Sequence, residues 1–116
     1  MLRNTIAAVA LTLAASSAHA ACEYPRKIEV PNGTQATKED MLTGQRAMKA
    51  YMESMNSYLD CIDAETSAAV EEGEAAEVTA ERQRLANQKR NAAIDEMETL
   101  AAEFNAQVRA YKAKND

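Results

Sequence analysis

Two long stretches of the chain repeat apolar residues at steps of three and four, which is the spacing of one face of an α-helix. The first begins after Thr37, which together with Asp40 predicts a capping box, and it continues without a helix breaker to about Val70. Its predicted buried stripe is Met41, Gln45, Met48, Met52, Met55, Leu59, Ile62, Thr66 and Ala69. The second stretch runs from about Ala75 to Lys112. Its predicted inner side is Val78, Leu85, Ile94, Met97, Leu100, Ala101, Phe104, Val108 and Tyr111.

Residues 71–75 separate the two stretches and contain Gly73 among glutamates, which predicts a turn. The expected fold is all-α: a long, coiled-coil-like antiparallel hairpin over residues 38–114. Basic side chains within residues 81–90 would then face acidic ones within residues 56–65. One continuous helix of about 75 residues is the alternative, because a glycine costs only about 1 kcal/mol inside a helix. Its antiparallel dimer would make much the same pairings.

Residues 21–37 differ from the rest because they hold both prolines and a Pro-Asn-Gly turn signal. We expect this segment to form an extended arm. Its apolar side chains alternate with period two, at Cys22, Tyr24, Ile28 and Val30. One face of the arm is therefore expected to lie on an apolar surface.

The first 20 residues have the three parts of an export signal. Arg3 is followed by an apolar run over residues 6–15 and by the small-residue end Ala18-His19-Ala20. We expect cleavage after Ala20 and a periplasmic product. The apolar run is too short for a transmembrane helix, which needs about 20 residues.

The only two cysteines of the chain, Cys22 and Cys61, are expected to form a disulfide, since the periplasm is oxidising. The arm is long enough to run back along the first helix and reach Cys61. The alternative is a lipid anchor on Cys22. It is disfavoured because His19 stands where a lipoprotein signal carries an aliphatic residue.

Composition narrows the functions that the chain can have. Its only histidine lies in the expected leader, and the formal net charge is −5. A histidine base or metal ligand is therefore excluded from the mature protein, and the acidic balance argues against nucleic acid as a partner. Glycine and proline are too few for a multi-stranded sheet protein, and no catalytic motif is present. We expect no enzyme activity, cofactor or metal site.

The methionines of the first helix raise one alternative, because thioether sulfur is a ligand suited to Cu(I). Met41, Met48, Met52 and Met55 have the spacing of a copper-binding face, but also that of a helix-packing stripe. We interpret them as core residues.

The apolar stripe of the first helix is wider than a two-helix contact needs, because Leu42, Tyr51, Tyr58 and Ile62 extend it. Aromatic surface left uncovered on a soluble protein usually marks an interface. These four residues are therefore predicted to contact a partner, either a second copy in a homodimer or another envelope protein. The polar-centred stretch of the second helix is the alternative contact surface.

Several motifs together resemble those of a family of small exported proteobacterial proteins. They are the Cys-Glu-x-Pro opening at Cys22, the Pro-Asn-Gly turn, the Tyr51, Tyr58 and Cys61 series, and the ending Phe-Asn-Ala-Gln-Val-Arg-Ala-Tyr-Lys over residues 104–112. The resemblance implies an exported helical protein and no particular activity. The segment Leu-Thr-Gly-Gln at residues 42–45 also resembles, one residue short, the LTxxQ signature of periplasmic stress chaperones.

The expected function is that of a non-enzymatic interaction or structural protein of the cell envelope. A chaperone-like or stress-sensing hairpin is the first alternative, and a carrier of soft metal is the second.

Overall fold

The computed structural model describes residues 22–115, so the predicted leader lies outside the described residues. An irregular arm is followed by helix α1, Lys38–Glu71, and helix α2, Ala76–Asn115, which pack on each other. The all-α hairpin is confirmed, and the continuous-helix alternative is wrong because residues 72–75 reverse the chain. None of the described helices is both long and apolar enough to cross a membrane.

Local signals in the sequence account for both ends of α1. The Thr37 hydroxyl accepts a hydrogen bond from the Asp40 amide at 3.1 Å, and the Asp40 carboxylate accepts one from the Thr37 amide at 2.9 Å, which confirms the capping box. At the other end Gly73 has a φ of +78°, and the next amide, that of Glu74, donates to the Ala69 carbonyl at 3.3 Å. A glycine tolerates this left-handed conformation without the penalty that a Cβ would bring.

The buried side of α1 follows a heptad spacing, with alternate steps of three and four residues. Its buried residues are Met41, Gly44, Met48, Tyr51, Met55, Tyr58 and Ile62. The predicted stripe is wrong in part: Gln45 is exposed, and Met52 and Leu59 are only half-buried. Two apolar series with helical spacing are possible on α1. One passes through Met52 and Leu59, and the other passes through Tyr51 and Tyr58. The structure buries the second series.

The buried side of α2 also differs from the prediction near the turn. Ala93 and Leu100 are fully buried, as steps of three and four through Met97 require. Continued toward the turn, the same steps lead to Arg90 and Ala86, not to the predicted residues. Val78 and Leu85 are consequently 51% and 43% exposed, so their predicted inward position is wrong.

The arm lies over the groove between the two helices and runs antiparallel to α1. Its start is bonded to α1 at Cys61, and Pro31 lies beside Gly44, 17 residues earlier in α1. Ile28 and Val30 pack against the core, as the alternation predicts. Along this part of the hairpin, the arm, α1 and α2 therefore pack together.

Two glycines allow the arm to approach the helices closely. A Cβ added at Gly44 would lie 2.8 Å from the Pro31 Cγ and 3.3 Å from a ring carbon of Phe104. A Cβ at Gly33 would overlap the backbone carbonyl of Gln107, whose side-chain oxygen accepts the Gly33 amide at 2.8 Å. The Pro-Asn-Gly signal predicts a turn at Gly33 but not its contact with Gln107, and no sequence signal predicts the contact of Gly44 with Pro31.

Candidate interaction surface

The predicted disulfide is present in the structure. Cys22 and Cys61 are bonded, with their Cα atoms 5.7 Å apart, which fixes the start of the arm to the middle of α1. An oxygen of the Glu65 carboxylate lies within 4.8 Å of both sulfur atoms. Three potential metal ligands thus meet here, but the sulfurs are joined to each other and are not thiolates, the form that binds metal.

Tyr24 anchors the arm beside the disulfide. Its ring packs edge-to-face on Tyr58, with ring centroids 5.0 Å apart, and its hydroxyl donates to the Glu96 carboxylate at 2.5 Å. Partial burial of this side chain, which is 39% exposed, together with the hydrogen bond and the negative charge of Glu96, raises the pKa of Tyr24 above its ordinary range. The phenol therefore stays protonated and keeps donating, so the arm is held on both helices at once.

Tyr51 lies in the core below the arm and is only 3% exposed. Its hydroxyl is buried near the Glu96 carboxylate, which accepts from Tyr24, and it makes no hydrogen bond of ordinary geometry to a described residue. Burial, and the nearby charge of Glu96, raise its pKa to about 12. An unpartnered buried hydroxyl lowers stability, because the desolvation of the group is not compensated.

The predicted contact surface was expected to expose the two α1 tyrosines, and this expectation is wrong. Tyr51, Tyr58 and Ile62 are 3%, 7% and 3% exposed, since the arm and α2 cover them. Only Leu42, at 39%, faces solvent. The width of the α1 stripe reflects contact with the arm and α2 together.

The structure instead leaves a different surface uncovered, close to the turn. We call residues 63–92 the distal half of the hairpin. None of these 30 residues is buried, and the large apolar side chains Val70, Val78 and Leu85 are 50%, 51% and 43% exposed. The arm does not reach this half, because its first described residue is tied to Cys61.

A groove of about 410 Å³ lies between the helices in this half. We call it the distal groove. It is lined by Ile62, Glu65, Thr66, Glu77, Val78, Glu81, Arg82, Leu85, Ala86 and Lys89. Glu65 borders both the disulfide and the groove, and Lys89 lies one heptad before Glu96, which holds Tyr24. The distal groove is thus a continuation, on the turn side of the disulfide, of the groove between the helices that the arm fills elsewhere.

Ion pairs surround the distal groove and define its charge. Arg82 binds Glu74 at 2.7 Å, and Arg84 binds Glu81 at 2.5 Å. These contacts lower the pKa of both glutamates, so both stay ionised near neutral pH. Arg90 pairs with Asp63 across the hairpin, as expected from the charge pattern. Lys89 forms no ion pair with another described residue.

The methionines of α1 lie mainly in the core. Met41, Met48 and Met55 are 8%, 7% and 0% exposed, and Met52 packs against the same core from its edge. Met97 of α2 adjoins this cluster. The flexible thioether chains fill the space between α1, α2 and the arm, a use for which methionine is well suited.

No family model, no curated protein and no solved structure matches the chain. The resemblance of residues 22–112 to a family of small exported proteins therefore stays a prediction.

Proposed function

We propose that this chain is an exported, periplasmic helical protein that acts by binding a partner and not by catalysis. The distal half of the hairpin is its contact surface. The observation that carries the proposal is the contrast between the two halves. Residues 41–62, which we call the packed half, lie under the arm, whereas none of residues 63–92 is buried and Val70, Val78 and Leu85 are exposed. Most of the stability of a protein helix comes from packing of its apolar face, so a partner would complete the distal half.

The chemistry of the distal groove supports binding over catalysis. Its lining contains no histidine, cysteine or serine. Its one hydroxyl, that of Thr66, already donates to the Ile62 carbonyl within the same helix. Two of its charged groups, Glu81 and Arg82, are engaged in ion pairs. An apolar floor with a charged rim is the usual anatomy of a protein interface.

The leader pattern and the disulfide support export. An Ala-x-Ala end after an apolar run is the form of a cleaved signal. A disulfide that fixes the arm requires an oxidising compartment to persist. Both features fit the periplasm.

Site-specific photo-crosslinking in intact cells tests the proposal. A photoreactive amino acid at Val78 should give a discrete crosslinked species in the envelope fraction. The same group at Glu53, an exposed position of α1 in the packed half, is the matched control and should give none. Intact-mass analysis should show a chain that begins at Ala21 and lacks two hydrogens.

Three outcomes would count against the proposal. A chain retained in the cytoplasm, or one carrying an acyl group on Cys22, would overturn the export step. No crosslinked species at Val78 would overturn the contact surface. Many heterogeneous species would replace the defined partner with the chaperone-like alternative.

A further inference from the structure

If a partner fills the distal groove, as proposed above, the chain's own arm cannot be that partner. With cleavage after Ala20, only one residue precedes Cys22, and one residue spans about 3.5 Å. Ten residues of α1 separate Cys61 from Glu71, a length of about 15 Å at 1.5 Å per residue. The occupant therefore has to come from another molecule.

The charges beside the groove indicate which molecule. On α2, Leu85 lies midway between Glu81 and Lys89, four residues from each, and both charged residues line the groove. If two copies of α2 cross antiparallel at Leu85, Glu81 of each copy meets Lys89 of the other. In the same register Val78 meets Ala92. A parallel arrangement would place Glu81 on Glu81 and Lys89 on Lys89, which is repulsive.

We propose that a second copy of this chain docks antiparallel in the distal groove, with the twofold axis at Leu85. Each copy then packs its exposed Leu85 against the Leu85 of the other, and the two hairpins form a four-helix contact at their turn ends. Lys89 acquires the partner that its own described residues do not provide. This inference rests on the proposed function, because it names the occupant of the contact surface assigned there.

The Glu81 carboxylate can serve two cations in this arrangement. Its two oxygens receive the Arg84 guanidinium within the same helix, at 2.9 and 2.5 Å. Each carboxylate oxygen has two lone pairs, so each can accept a further donor. The Lys89 ammonium of the second copy can therefore add to the existing pair without displacing it.

The proposal is tested by exchanging the charges at Glu81 and Lys89. Sedimentation equilibrium of the purified, disulfide-bonded chain then measures Kd of the dimer. We expect wild type to be a dimer in the micromolar range. Glu81→Lys and Lys89→Glu should each raise Kd about tenfold, because each turns two attractive contacts into two repulsive ones. The double variant E81K/K89E should return Kd to within about threefold of wild type. The differences should shrink in 1 M NaCl, where the Debye length is only about 3 Å.

Lys49→Glu is the matched control, since it makes the same charge change at an exposed position of α1 in the packed half, and it should leave Kd unchanged. Circular dichroism should show that every variant keeps its helix content. A chain that stays monomeric to several hundred micromolar overturns the proposal. So does a dimer in which the double variant is no better than the single ones.

The same measurements separate this inference from the proposed function. A monomer in sedimentation that still gives a discrete crosslink to a different protein at Val78 would refute the second copy as occupant and leave the contact surface intact. A crosslinked species with twice the mass of the mature chain supports both.

Discussion

The close contact of the arm with α1 can be tested by replacing Gly44 with alanine. In an ordinary helix interior this change stabilises by about 1 kcal/mol, because alanine is the better helix former. Here the new methyl would lie 2.8 and 2.9 Å from two ring carbons of Pro31 and 3.3 Å from Phe104. Overpacking of this kind costs about 1–3 kcal/mol, so we expect a net loss of about 1 kcal/mol.

For a domain of this size, about 1 kcal/mol corresponds to a change of about 4–8 °C in melting temperature. Thermal unfolding followed by circular dichroism should therefore show Gly44→Ala melting lower than wild type. Asn56→Ala, at an exposed position of α1, reports the gain in helix propensity alone and should melt slightly higher.

A double-mutant cycle with Pro31→Ala isolates the contact. Once the pyrrolidine ring is removed, Gly44→Ala should become neutral or stabilising, which gives a coupling energy of at least about 1 kcal/mol between the two positions. The reasoning is refuted if Gly44→Ala raises the melting temperature in the wild-type background. That result would mean that Pro31 does not lie against α1 in solution.

Three further changes test the arm and the core. Cys61→Ser opens a loop of 39 residues, and we expect the free energy of unfolding in urea to fall by about 4 kcal/mol, as it should for reduced wild type; a change under about 1 kcal/mol would contradict this. Gly33→Ala should cost at least about 1–3 kcal/mol and speed amide exchange in the arm, because its Cβ meets the Gln107 backbone, whereas unchanged exchange would place the turn elsewhere. Tyr51→Phe removes a hydroxyl without a partner and should leave stability at pH 7 unchanged or higher. Because the pKa of Tyr51 is raised to about 12 in the folded chain, its phenol ionises first in the unfolded chain, and wild type loses stability as the pH rises from 10 to 12. The variant has no such phenol and should lose less stability over that interval.

The two helices, their turn and the bridge could be predicted from the sequence because the signals for each are local. A capping box, a glycine among like charges and an uninterrupted 3.6-residue period need no knowledge of the rest of the chain. The cysteines were predictable for a similar reason, since two in an expected exported chain permit only one intramolecular pairing.

The buried face of each helix could not be predicted from local sequence signals. On α1, Tyr58 and Leu59 both continue an apolar series with helical spacing, and the choice between them depends on where the arm lies. On α2, small Ala86 takes the inner position and large Leu85 is left at the edge. Hydrophobicity alone favours leucine at the buried position. Alanine occupies it because steps of three and four residues from Leu100 and Ala93 lead to Ala86. For this reason the uncovered apolar side chains lie in the distal half and not at Tyr51 and Tyr58.

The two hydrogen bonds from the arm to α2 have a consequence for alignment. Tyr24 is bonded to Glu96 and Gly33 to Gln107, 11 residues farther along α2, which is about three turns on the same face. A heptad line of apolar side chains looks similar after a slip of seven residues, so packing by itself tolerates a helix that has shifted by two turns. The arm removes this degeneracy, because its length is fixed by the bond at Cys61 and its two polar contacts match only one position of α2. The arm therefore fixes the register of α2 relative to α1, which the apolar packing of the two helices alone would leave ambiguous.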